Sequence, residues 1–227
     1  MPELARASTA RGEVVLRRRD DGAVELRVNG VFVMDTVETS SERLLARATL
    51  DALANRAGTA GASVLIGGLG LGFTLGEVLA DPRVARVVVA EIEGDLVAWH
   101  RGGLVPLPDG SPTLLDDARV EVLVADVRHA VAAQPEGSLD VVLLDVDNGP
   151  GYLVYEANAG LYGEKFLATC RAAVRPGGIV AIWSAAESPQ LMAVMRLVFE
   201  EVDDWRIPVI LGSRATTYHL FVGRCGT

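Results

Sequence analysis

Four acidic residues stand where this chain could do chemistry: Glu91 after the apolar run Val87-Val88-Val89-Ala90, Asp126 after Val124-Ala125, and Asp145 with Asp147 after Val141-Val142-Leu143-Leu144. Ahead of the first lies a glycine-dense turn, Gly67-Gly68-Leu69-Gly70-Leu71-Gly72, set between the apolar run Ala62 to Ile66 and the helix-like stretch Thr74 to Leu79. Glycines without a Cβ let a ligand lie against the main chain, while the start of the following helix points its positive end at it. Glu91 follows at about the 20-residue separation that brings a carboxylate to ribose hydroxyls in a βαβ unit. Gly67, Gly68, Leu69, Gly70, Gly72 and Glu91 therefore read as a nucleotide-ribose site. Asp145 and Asp147, two positions apart around a strand end, read as a carboxylate pair in which proximity pushes one pKa upward, as suits a base. The alternative for Asp147-Asn148-Gly149 is a plain turn with Asp147 satisfied by backbone N–H groups.

The elements that must hold these residues alternate with regularity. Strands are expected near 63–66, 86–91, 120–125, 140–145, 179–184, 205–210 and 218–222, and helices near 74–79, 94–100, 127–133, 161–174 and 189–201. Continuous rather than alternating apolar runs mean strands buried on both faces, hence a Rossmann-like α/β fold with a seven-stranded, mostly parallel sheet. A short loop with Gly212 separates the last two strands, too short for a parallel crossover, so the last strand is expected to run antiparallel. Residues 1–38 read as a small β-hairpin region, marked by Asp20-Asp21-Gly22 and Asn29-Gly30, that covers the main domain or a partner subunit; residues 39–227 form the main domain. Thr39-Ser40-Ser41-Glu42 has the form of a capping box opening the first helix.

With 227 residues, half of them hydrophobic and 22% charged, the chain suits one α/β domain with an appendage. A net charge of -9 excludes a nucleic-acid polyanion as the expected substrate. Cys170 and Cys225 lie far apart without metal spacing, which fits free thiols in a reducing cytoplasm. No signal peptide is expected in the polar start. The uncharged stretch from Ala57 to Gly76 carries seven glycines and coincides with the nucleotide turn, so no membrane span is expected. Asp145, Asp147 and Glu156 share a calcium-loop spacing, but Pro150 stands where such a loop needs Gly, and no metal is expected.

The strand and helix order, with its antiparallel terminal pair, resembles the class I S-adenosylmethionine-dependent methyltransferases, and within them the spermidine synthase family of aminopropyltransferases. The likeness is carried by Val28-Asn29-Gly30-Val31, the segment from Val64 to Leu79, Glu91-Ile92-Glu93, Ala125-Asp126, Leu144-Asp145 and Arg175-Pro176-Gly177-Gly178. It implies that Glu91, with Ile92 beside it, holds the ribose. It further implies that Asp126, with Val127, receives the adenine amino group, and that Asp145 sits where the reacting carbon meets the acceptor. Asp126 also stands where a helix N-cap would. S-adenosylmethionine, or its decarboxylated form, is the implied donor.

Two departures shape the expected reaction. The family's glycine turn carries an acidic residue near the position of Leu71, where it looks like the anchor of the decarboxylated donor's amine. Intact S-adenosylmethionine, whose own carboxylate can use backbone N–H groups, is therefore the expected donor, and methyl transfer the expected reaction. Aminopropyl transfer to a diamine is the alternative, and a non-catalytic nucleotide-binding or dimerisation protein a third reading. The family's Tyr-Gln/His-Glu acceptor triplet is absent, its place taken by Glu42-Arg43-Leu44. A small amine is the expected acceptor, held and deprotonated by Asp145 first and Asp147 second. Tyr152, Tyr155 and Trp183 are the residues expected to wall its pocket, and a homodimer is the expected assembly.

Overall fold

The computed structural model describes residues 2–57, 61–107, 113–211 and 213–226; Gly212 lies outside the described residues. Four strands open the chain, β1 (Glu3–Thr9), β2 (Gly12–Arg18), β3 (Val24–Val28) and β4 (Val31–Asp35), paired in that order as an antiparallel meander. Asn29 and Gly30 turn β3 into β4 with φ of 52° and 76°, the left-handed pair that an Asn-Gly hairpin requires. β1 escapes the sequence reading because it offers almost no apolar face: only Ala7 of its seven residues is buried.

The main domain runs α1 (Ser40–Ala57), β5 (Ala62–Gly67), α2 (Phe73–Ala80), β6 (Val84–Glu91), α3 (Gly94–Arg101), β7 (Val120–Val124), α4 (Val127–Ala132) and β8 (Leu139–Leu144). A 3-10 helix (Glu156–Tyr162), α5 (Glu164–Ala173), β9 (Val174–Ser184), α6 (Pro189–Val198), β10 (Glu201–Leu211) and β11 (Arg214–Arg224) complete it. The strand order is β10-β11-β9-β8-β5-β6-β7, with β5 to β9 parallel and β11 antiparallel to both of its neighbours. The helix expected from Leu161 begins instead at Glu164, because extended backbone at Gly163 separates it from the 3-10 turn.

Val64, Ile66, Val87, Val89, Val141 and Leu143 pack against α1 and α2, while Leu65, Val88, Val142 and Leu144 face α4, α5 and α6. Both faces are thus dry, which explains the unbroken apolar runs. The chain order reverses between β5 and β8, so the crevice beyond the carboxyl ends of β5, β6 and β8 is where such sheets take ligands. Leu16, Leu26 and Val28 of the N-terminal sheet pack on Leu71, Phe73, Leu96 and Trp99, and so roof the glycine turn and α3. Among the described residues no helix is long and apolar enough to cross a membrane.

The expected capping box is not made. Glu38, not Glu42, accepts from the Ser40 N–H (2.9 Å) and from its hydroxyl. Glu42 turns inward, 7% exposed, taking a 2.6 Å hydrogen bond from the Ser41 hydroxyl, and lines the cavity described next.

Candidate active site

One cavity lies over the switch point, roofed by Val14, Val28, Val33 and Met34 of the N-terminal sheet and floored by the ends of β5, β6, β7 and β8. Gly68, Gly70, Glu91, Ile92, Asp126, Val127, Asp145, Asp147, Tyr155 and Trp183 all line it. Gly67, Leu69, Gly72 and Tyr152 do not.

Glu91 is buried and held at both oxygens by main chain: Oε1 accepts from the Glu93 N–H at 2.8 Å and Oε2 from the Leu69 N–H at 2.9 Å. Leu69 therefore serves the site by orienting Glu91. Burial raises the pKa of Glu91, the two N–H groups oppose that rise, and the Glu93 charge adds to it. Each carboxylate oxygen keeps a lone pair that hydroxyl groups of a ligand can use.

The glycine turn departs from its expected role. A Cβ on Gly68 (φ +92°) would lie 2.2 Å from the Asp145 carbonyl, and one on Gly70 (φ +50°) 2.5 Å from the Met34 sulfur. Bareness here lets the protein's own parts close on one another as much as it admits a ligand. The N–H groups of Gly68, Leu69, Leu71 and Gly72 are already taken, by the Ala90 carbonyl, Glu91 Oε2, Met34 Sδ and the Leu69 carbonyl. They are not free to bind the carboxylate of intact S-adenosylmethionine. The Leu71 side chain is fully buried among residues of the N-terminal sheet and is not among the residues that line the cavity.

At the end of β7, Asp126 is the helix cap expected of it and also lines the cavity. Its Oδ1 caps α4 by accepting from the Arg128 N–H at 2.8 Å, while the Arg128 guanidinium grips it at 2.9 and 2.5 Å and, with that N–H, holds its pKa low.

The Asp145 end is built differently. Asp145 Oδ2 takes a 2.6 Å hydrogen bond from the Thr74 hydroxyl, and burial pushes its pKa up to about 6. Glu42 faces it from the start of α1, and burial together with the Asp145 charge pushes Glu42 up to about 7. In place of the proximity effect expected between Asp145 and Asp147, it is the Asp145 charge that acts on Glu42. Asp147, in the left-handed region (φ 60°), uses Oδ1 to accept from the Val154 N–H and the Asn158 amide, both at 2.9 Å. Its Oδ2 is buried without a hydrogen-bond partner, and burial raises its pKa. Trp183 has its Nε1 likewise unpartnered, and its ring meets Tyr218 edge-on at 4.9 Å. Tyr155 gives its hydroxyl to Glu93 Oε1 at 2.9 Å. Tyr152 is a correction: it is 62% exposed on the loop's outer side, because the turn closed by its N–H on the Gly149 carbonyl (3.1 Å) directs it away from the sheet.

Six carboxylates, Glu42, Glu91, Glu93, Asp126, Asp145 and Asp147, line the cavity, and no Lys, Arg or His stands among the described lining residues. Two of the six, Glu42 and Glu93, belong to none of the site assignments made from sequence. Glu93 had a signal, its place two residues after Glu91; Glu42 stands where the acceptor triplet would, but its capping pattern masked it.

A family model described as spermine/spermidine synthase domain matches residues 48–200. Polyamine aminopropyltransferase 2 of Pseudomonas aeruginosa is 34% identical over 163 residues, 66% of this chain and 44% of that protein. The enzyme of that name from Streptomyces coelicolor is 37% identical over 123 residues, 53% of this chain and 21% of its own length. The chain thus spans less than half the length of these relatives. Among solved structures, spermidine synthase from Thermotoga maritima superposes with a TM-score of 0.79 at 20% identity, over 99% of this chain and 73% of that one. A spermidine synthase in complex with the transition-state analogue AdoDATO gives 0.80 at 19% identity, over 99% and 74%. The two superpositions span both the seven-stranded sheet and the N-terminal meander.

Proposed function

Because the chain belongs to the spermine/spermidine synthase domain family, we propose that it transfers an aminopropyl group from decarboxylated S-adenosylmethionine to a small amine, a diamine foremost. This reading replaces the methyl transfer expected from Leu71, and it agrees with the names of the curated relatives. The observation that carries it is the charge of the cavity: six lining carboxylates and no lining cation among the described residues. A decarboxylated donor brings a sulfonium and an ammonium, and a diamine brings two more cations. Intact S-adenosylmethionine adds a carboxylate for which neither a cation nor those four N–H groups of the turn are available.

In this reading Glu91 takes the ribose hydroxyls and Asp126 the adenine amino group. Asp145, Glu42 and the unpartnered Asp147 Oδ2 face the ammonium groups. The acceptor nitrogen attacks the aminopropyl carbon bound to sulfur; the C–N bond forms, the C–S bond breaks and its electron pair leaves on methylthioadenosine. The nitrogen's surplus proton passes to the Asp145–Glu42 pair, whose raised pKa values suit a base working near neutral pH. We place the enzyme in the cytoplasm as a homodimer; exposed Val31 and Phe32 on edge strand β4 give a partner an apolar surface.

Incubation with decarboxylated donor and a panel of diamines, read by mass spectrometry, tests the reaction. Amines heavier by one aminopropyl group, with methylthioadenosine in equal amount, are expected. Methylated amines from the intact donor, with no product from the decarboxylated one, would overturn it.

A further inference from the structure

Arg11, in the turn between β1 and β2, belongs to no motif, yet its guanidinium reaches the end of β6. Nε donates to Glu93 Oε1 at 2.7 Å, and Nη2 donates to Glu93 Oε2 at 3.1 Å and to the Ile92 carbonyl at 2.8 Å. Tyr155, on the loop after β8, gives its hydroxyl to the same Glu93. Glu93 is 3% exposed, and its N–H is one of the two that hold Glu91. A single buried carboxylate therefore ties the N-terminal sheet, β6 and the loop after β8 together beside the ribose-site residue.

We propose that Arg11 is a positioning residue of the donor site. By balancing the Glu93 charge it keeps Glu91 a charged and oriented acceptor for the ribose hydroxyls, and it makes docking of the N-terminal sheet a condition of donor binding. The inference rests on the donor reading above. Its physical basis is the placement of two buried carboxylates two residues apart, where each charge disfavours the other. The groups that meet them are Arg11 from the β1–β2 turn and the Tyr155 phenol from the loop after β8; Asp126, at the end of β7, lines the same cavity and is neutralised by Arg128. Arg11 is the counter-charge that meets Glu93. Without it, a proton on Glu91 relieves the repulsion and removes an acceptor from the ribose site.

The test compares Arg11→Met, Arg11→Lys and the double variant Arg11→Met/Glu93→Gln with the parent protein. Binding of decarboxylated S-adenosylmethionine is measured by calorimetry across pH, and Glu91 is titrated by carboxyl-carbon NMR in the ligand-free protein. Arg11→Met is expected to weaken the donor about tenfold near neutral pH, the scale of one buried group losing its partner. It should also move upward the pH at which binding is half lost on acidification. Arg11→Lys keeps the charge and loses the fork, so the pH midpoint returns while the affinity is only partly regained. In the double variant the unbalanced charge is gone and the midpoint returns too. A merely structural role predicts a lower melting temperature with parent affinity and midpoint, or an affinity loss equal at every pH; either result overturns the proposal. Failure of the parent protein to bind either donor would sink the donor reading. The NMR arm would then decide alone: Glu91 titrating at the same pH with and without Arg11 overturns the inference.

Discussion

The two ends of the cavity hold their carboxylates in opposite ways. Glu91, Glu93 and Asp126 have their oxygens occupied by backbone N–H groups and guanidinium forks, so they are fixed before any ligand arrives. Glu42 and Asp145 accept from side-chain hydroxyls, and Asp147 keeps one oxygen without a partner; among the described residues no guanidinium pairs with any of the three, and burial raises their pKa values, as it does that of Glu91. Carboxylates that already have their partners shape a pocket. Carboxylates that lack them are short of one kind of group, a cation, and the ammonium-bearing substrate proposed above would supply it.

The contrast predicts unequal costs for equal chemical changes. Asp145→Asn removes the proposed base and should lower turnover by about a thousandfold while donor affinity changes little, since general-base catalysis contributes about 10²–10⁴. Steady-state kinetics alongside calorimetry separates the two; an equal loss in donor binding would erase the distinction between the ends. Glu42→Gln should cost about tenfold to a hundredfold in turnover and leave a single acidic step in the pH profile in place of the pair's two.

The same variant carries a stability prediction with a definite sign. Glu42 has a folded-state pKa of about 7, above its ordinary 4.5. Its contribution is fully present below about 4.5 and is lost as pH rises through about 7. Glu42→Gln is therefore expected to raise the melting temperature above neutral pH and to leave it unchanged in acid. A gain at every pH would mean that relief of the charge is not the cause.

Leu71→Asp sharpens the comparison from the other side. The new carboxylate would be buried in the N-terminal core, so a loss of about 3 kcal/mol in denaturant-measured stability is expected without any shift in donor preference. A gain in selectivity for the decarboxylated donor would show that the position does face the ligand. Smallest of all, Tyr152→Ala should change turnover and acceptor KM by less than about twofold, as for a surface substitution.

How much of this was legible in the chain follows the same division. The parallel sheet was legible because Val87 to Ala90 and Val141 to Leu144 can be continuous only if both faces are covered, and the antiparallel β11 follows from the short link after β10. Glu91 was legible because its partners are main-chain groups at a fixed distance along one βαβ unit. The Asp145 end was only half so, since Glu42 comes from α1, about a hundred positions away, and local pattern assigned it to a cap. Leu71 misled for a related reason: whether its side chain faces the ligand or the N-terminal sheet depends on the hand of the turn, which residue types leave undetermined.

The central claim is that the cavity is made for a donor with no carboxylate of its own. Calorimetry with decarboxylated and intact S-adenosylmethionine, on one preparation at one pH just above neutral, tests it most directly. The decarboxylated donor is predicted to bind at least about tenfold more tightly, the scale of one unpaired buried charge. Equal affinity, or tighter binding of the intact molecule, would contradict the account.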